Sequence, residues 1–302
     1  VPSPSTGRDN AGNDAESDVK LITVAERLVK RVTTLTEDDS EHVRAALAMV
    51  ATELAPVLGK DATITHLVPP VLLLLRDAAS EVRLNLISSL SSLNQVIGVD
   101  LLSQSLLPAI LDLAQDGKWR IRLAIIQQIP LLAKQLGKSF FSDKLTSLCV
   151  GFLGDDIASI RAAATENLKE LTGLFGTEWA LEYIFPSIEE IRHNQSYLRR
   201  LTAIQACALM STVMTPNIVK LQVLPLVLEM ATDNVANIRF NVAKALQEIG
   251  IVCGMQVYES QVRPVLSMLA EDYDRDVRFF AEMTSKMLEE NMAAGGDTIM
   301  QE

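Results

Sequence analysis

Cysteine and histidine are scarce in this chain, three of each in 302 residues, and both scarcities are informative. Cys149, Cys207 and Cys253 stand far apart inside apolar helical patterns, which argues against a disulfide framework and for buried thiols in a reducing compartment. His42, His66 and His193 lack ligand spacing to one another or to the cysteines, so no metal site is predicted. No apolar run approaches the roughly 20 residues that a membrane span needs. Motifs of the GxSxG and HExxH type and phosphate-binding glycine loops are missing too, so neither catalytic residues nor a cofactor are expected. Strand signals are few. Clustered Lys and Arg are also lacking: the formal net charge is -11, which disfavours nucleic acid and anionic membrane as partners and suits a basic protein surface.

What the chain does contain is a repeat. Arg44, Arg83, Arg122, Arg161, Arg200, Arg239 and Arg278 recur every 39 residues. Six residues before each comes Asp38, Asp77, Asp116, Asp155, Asn194, Asp233 or Asp272, so that six of the seven copies carry aspartate. Nine before it the position is always apolar, fourteen before it five copies have proline, and fifteen after it five copies have glycine. A fixed period near 40 marks one supersecondary unit stacked many times.

These columns punctuate a pair of antiparallel helices. The first helix should end at the aspartate and be kinked by its proline. The second should begin around the arginine, bury a face such as Ile121, Ile125, Ile129 and Leu132, and end on a left-handed glycine cap. The fold class is therefore all-α, an α-solenoid of about seven units. Its domain spans 19–288, between a flexible acidic segment at 1–18 and a disordered tail at 289–302. The apolar stripe of the first helix, KLITVAERLVKRVTTL, predicts further units upstream.

Paired charges suggest an active site, but a catalytic site would occur once, not in nearly every unit. The columns predict a structural ladder of Asp77, Arg83, Asp116, Arg122, Asp155, Arg161, Arg200, Asp233, Arg239, Asp272 and Arg278, in which each arginine bonds the turn and the aspartate of a neighbouring unit and so ties the stack together. Function should then reside where a copy departs from the columns. Three residues before the arginine the chain reads Glu41, Ser80, Trp119, Ala158, Tyr197, Ala236 and Arg275. Trp119, between Lys118 and Arg120, and Tyr197, before Leu198 and Arg199, combine aromatic rings with arginine as protein interface hot spots do. Trp179, Phe240 and Phe279 are expected to pack between units, and Met210, Met214 and Met230 to lie in the core.

The 39-residue helical pair is similar to the HEAT repeat. SQSLLPAI at 103–110, KWRIRLAII from Lys118, PLLAKQLG from Pro130 and NIRFNVAKALQ from Asn237 resemble the scaffold (A) subunits of type 2A protein phosphatases more closely, in their C-terminal half. The resemblance implies a non-catalytic scaffold that holds the phosphatase catalytic subunit through intra-repeat turns of repeats three to seven. Much of the surface for a regulatory B-type subunit would be missing. Carried over by residue, it implies partner contacts at Lys118, Trp119, Arg120, Asp156, Tyr197, Leu198, Arg199 and Asn237, leaves Ala158 without the family's usual aromatic, and says least about Tyr273 and Arg275. A cytoplasmic location is expected, with the nucleus open to it. The alternative is a HEAT-repeat adaptor of another class, such as a nuclear transport receptor.

Overall fold

The computed structural model describes residues 27–299, all of them in helices and the turns between, with no strand among the described residues. The segment expected to be flexible at 1–18 lies outside the described residues. Two compact units divide at Gln128/Ile129. The second helices of the seven repeats are α1 (Glu41–Val50), α2 (Ser80–Ile97), α3 (Trp119–Leu136), α4 (Ala158–Phe175), α5 (Tyr197–Ser211), α6 (Ala236–Cys253) and α7 (Arg275–Ile299). The unit boundary falls within α3.

Each second helix begins three residues before the ladder arginine, earlier than the sequence suggests. The aspartate column explains why. Asp77 Oδ1 accepts the Ala79 N–H at 2.8 Å, and Asp116, Asp155, Asp233 and Asp272 do the same for the residue two positions on. That bond turns the chain into the helix and does the work that an N-cap side chain does elsewhere. Trp119 and Tyr197 are thus the first residues of α3 and α5.

The first helices are interrupted rather than smoothly kinked. In four repeats a π-helical turn, Thr63–Leu67, Leu102–Leu106, Val219–Val223 or Tyr258–Val262, precedes the helix that carries the proline near its start. The wider turn makes room for a pyrrolidine ring and absorbs the missing N–H. Repeat four has Ser147 in the proline column and still breaks, at Leu145 (φ -118°, ψ -15°). The proline fits the break but does not create it.

The glycine column also differs in detail. Gly59, Gly98, Gly137, Gly176 and Gly254 have φ between 75° and 94°, but ψ near 170°. They are not left-handed helical caps; they occupy the positive-φ extended region that is essentially reserved for glycine. The fifth repeat, which has Thr215 there, reverses with ordinary extended angles before Pro216, and its Thr215 N–H is held by Thr177 Oγ1 at 3.2 Å.

In the first unit α1 packs on α2, and short polar side chains link them: Asn85 Nδ2 donates to the Ala45 carbonyl and Ser89 Oγ to that of Ala48. In the second unit α4, α5, α6 and α7 pack in order. A Cβ added at Gly250 would lie 3.0 Å from Leu288, so glycine there lets α6 and α7 approach. Ile121, Ile125, Ile129 and Leu132 of α3 are buried, as are Met210, Met214 and Met230. The three cysteines are free and buried, and burial pushes the Cys149 and Cys207 thiols up to about 12.

Two expectations need correction. Phe279 is 57% exposed instead of packed between repeats, with its ring edge-on to Phe280, whereas Trp179 is fully buried and donates to Ser142 Oγ. The expected disordered tail continues as helix to Ile299: Glu289, Glu290, Met292, Ala293 and Ala294 are good helix formers, and the run includes Gly295 and Gly296, which are not.

Candidate partner-binding turns

Every turn is built around one arginine. In the first unit, Arg44 places Nε and Nη2 on the Asp77 carboxylate at 2.6 and 3.0 Å, and Nη1 on the Asp38 carbonyl at 2.6 Å. Arg83 pairs with Asp116 at 3.1 Å and also donates to the Asp77 carbonyl. In the second unit Arg200 forks onto Asp233 at 2.7 and 2.9 Å, and Arg239 onto Asp272 at 2.6 and 2.9 Å. Arg122, Arg161 and Arg278 each hold the carbonyl of their own turn, from Asp116, Asp155 and Asp272. In these four pairs, Arg44–Asp77, Arg83–Asp116, Arg200–Asp233 and Arg239–Asp272, one guanidinium closes its own turn and grips the next repeat, while the aspartate shapes a backbone turn and receives the preceding arginine.

The electrostatics follow from this double role. The Arg44 hydrogen bonds hold Asp77 below the usual carboxylate range against the opposing effect of burial, and Arg239 does the same for Asp272. At Asp233 burial opposes ionisation, and the Arg200 bonds with the Val235 N–H outweigh it. Arg239 is raised in turn, chiefly by its bonds to Asp272. Asn194 breaks the series. Its Oδ1 still accepts the Ser196 N–H at 2.9 Å, but it offers Arg161 no carboxylate, and that buried guanidinium is left with the carbonyls of Asp155 and Asp156.

The expected partner residues stand on this frame. In the first unit Trp119 is half-buried with the exposed Arg120 guanidinium 4.7 Å over its ring, and Lys118 Nζ reaches back to Ser80 Oγ at 3.1 Å. In the second unit Asp156 is exposed, and Tyr197 and Leu198 are 40% and 38% exposed at the start of α5. Arg199 is exposed and leans over Gly154, where an added Cβ would come within 3.6 Å of its guanidinium carbon. Asn237 differs from the others: it is half-buried, and its carbonyl and Oδ1 both accept from Asn241 Nδ2, at 2.7 and 2.8 Å.

Sequence reasoning gives little weight to the most open aromatic ring, Tyr273, which is 82% exposed and covered on one face by Arg239 at 4.7 Å. Its column is the available signal. Five residues before the ladder arginine the other copies read Asp39, Ala78, Gly117, Asp156, Gln195 and Asn234, all small or polar. Phe279 has no such signal: its column reads Ala45, Leu84, Leu123, Ala162, Leu201 and Phe240, apolar throughout and with one phenylalanine already.

The HEAT repeat family matches residues 223–253, the stretch that holds all of α6 and its ladder arginine. Among curated proteins, the A-type regulatory subunit of protein phosphatase PP2A from Saccharomyces cerevisiae is 38% identical over 122 residues, 38% of this chain and 19% of that protein. The chain carries a HEAT repeat and is similar to the A-type regulatory subunits of PP2A. The beta isoform of the Homo sapiens 65 kDa A-type regulatory subunit is 46% identical over 54 residues, 18% of this chain and 9% of that protein. These matches thus span a small part of the length of either relative. Among solved structures, importin beta superposes with a TM-score of 0.68 at 11% identity, over 89% of this chain and 36% of that one. At that identity the likeness speaks for the α-solenoid fold, in which HEAT repeats are stacked helical pairs.

Proposed function

We propose that the chain is a non-catalytic scaffold of a type 2A protein phosphatase, which binds the catalytic subunit through the starts of its second helices. The observation that carries this reading is the pairing of partly exposed aromatic rings with arginine at helix starts whose column is otherwise small or polar. Trp119 with Arg120 forms one such anchor in the first unit, and Tyr197 with Leu198 and Arg199 forms another in the second. Such amphipathic anchors, held on a rigid turn, contribute most of the binding energy in many interfaces. Lys118 and Asp156 add charge at the rim. Asn237, committed to Asn241, contributes by shaping α6 more than by direct contact.

The chain does no chemistry in this reading and acts by geometry. Holding an enzyme on one set of turns and a B-type regulatory subunit on another raises the effective concentration of phosphorylated target at the enzyme. Titration calorimetry of the chain and its Trp119→Ala variant against a type 2A catalytic subunit tests the proposal. The parent should bind, and the variant should lose about 2 kcal/mol or more with its helix content unchanged. A folded parent that does not bind would remove the phosphatase reading and leave a repeat architecture shared with other adaptors.

A further inference from the structure

Tyr273 packs against the Arg239 guanidinium and otherwise stands open, and the scaffold reading does not call on it. Its ring is 82% exposed, yet it lies against a closely enclosed rung of the ladder, with the Arg239 guanidinium 4.7 Å from the ring centre. The surrounding sequence is EDYDRD, with Glu271 and Asp276 both exposed. Asp272 is occupied by Arg239 and the Asp274 N–H, and Asp274 by the N–H groups of Asp276 and Val277, so the turn is fixed from within and its ring is presented outward.

Of the four tyrosines, this one alone combines exposure with acidic flanks. Tyr258 is buried with its hydroxyl donating to Glu289, and Tyr183 is half-buried and stacked on Trp179. Tyr197 is exposed but precedes Leu198, Arg199 and Arg200, a basic run.

We propose that Tyr273 is a phosphorylation site for an acid-directed tyrosine kinase, and that its phosphate loosens the rung between repeats six and seven. The phenolic oxygen attacks the γ-phosphorus of a nucleoside triphosphate held by the kinase. A new O–P bond forms, the bond from that phosphorus to the β,γ-bridging oxygen breaks, nucleoside diphosphate leaves, and the phenolic proton passes to the kinase's base. The product carries about -1.5 to -2 charges at neutral pH.

That charge arrives beside a guanidinium that is already engaged. Arg239 holds Asp272 through Nε and Nη2 and the Asp233 carbonyl through Nη1. A phosphate drawn to Arg239 takes it from Asp272, and one that stays away repels the Asp272 carboxylate; both outcomes weaken the hold of α6 on the turn that starts α7.

The test uses the whole chain, an acid-directed tyrosine kinase and ATP, with the site mapped by mass spectrometry and amide hydrogen exchange followed before and after. Tyr273→Phe and Tyr197→Phe variants are run alongside, and a synthetic peptide of residues 266–281 verifies that the kinase is active. One phosphate is expected, lost in Tyr273→Phe and kept in Tyr197→Phe. Amides in the first turns of α7 should exchange about tenfold faster, and phosphatase treatment should reverse this. Phosphate only on another tyrosine, or a folded chain left unmodified, overturns the site. Phosphate on Tyr273 with unchanged exchange overturns the loosening.

Discussion

Arg239→Met is the sharpest test of the ladder. Arg239 and Asp272 have side chains only 6% and 9% exposed, and the guanidinium makes three hydrogen bonds, two to Asp272 at 2.6 and 2.9 Å and one to the Asp233 carbonyl at 2.7 Å. Methionine keeps the apolar stem and deletes all three. Asp272 then stays largely out of water with the Asp274 N–H as its remaining partner. Removing one member of a buried pair costs about 3–5 kcal/mol, and water at the rim near Tyr273 sets the expectation at the low end, about 3 kcal/mol. Asp272→Asn is milder, about 1–2 kcal/mol, because its Oδ1 can still shape the turn while the charge is lost. Stacked repeats lose cooperativity when one interface weakens, so a single unfolding midpoint is the wrong readout. Native-state hydrogen exchange is the right one: amides of α7 should lose protection equivalent to about 3 kcal/mol, while those of α2 in the first unit keep theirs. Unchanged α7 protection, or an equal loss in α2, would refute the claim that each rung fastens its own pair of repeats.

Two further predictions rest on the same geometry. Asn194→Asp supplies the missing carboxylate opposite Arg161 and should stabilise the second unit by about 1 kcal/mol in urea unfolding, with no gain if Arg161 is first changed to Met. Because Asp77, Asp233 and Asp272 are held below their usual 3.8, their stabilising contribution is complete above the unfolded-state value and is lost as pH falls through the folded ones. These groups should leave urea midpoints flat from pH 8 to 5 and lower them below about pH 4, a drop that Arg239→Met makes shallower.

Much of the fold is legible because its physics is repeated. A lone Asp–Arg pair six residues apart says little, but the same pair in nearly every unit specifies a turn, a helix start and a fastening to the next unit. The details that escape are local and cooperative. The first helix breaks whether or not proline is present, as Leu145 and Ser147 show, so the break belongs to the packing of the pair and not to one residue's missing donor. Glycine at the reversal signals positive φ correctly, but its ψ depends on where the next helix must go. The tail past Leu288 reads as frayed from its distance to the last repeat, yet α7 runs on through it, favoured by Glu289, Glu290 and Met292 to Ala294 and against the preference of Gly295 and Gly296.

The site is legible to a different degree, and the reason lies in how a repeat hides information. A column averages out what all copies need, so a residue serving only one copy shows as a departure, and its importance depends on what the column normally tolerates. Trp119 and Tyr197 stand out because their column is otherwise small, polar or charged. Tyr273 departs from its own column just as far, but it sits two residues earlier, where attention to the aromatic column does not reach. Asn237 shows the converse: it fits a partner-binding pattern by sequence, yet it is half-buried and its carbonyl and Oδ1 are engaged by Asn241. A departure is thus a reason to look, and the spare bonding capacity of the side chain decides whether it can serve a partner. By that measure the ring of Tyr273 and the Trp119–Arg120 pair are better candidates for partner contact than the half-buried Asn237.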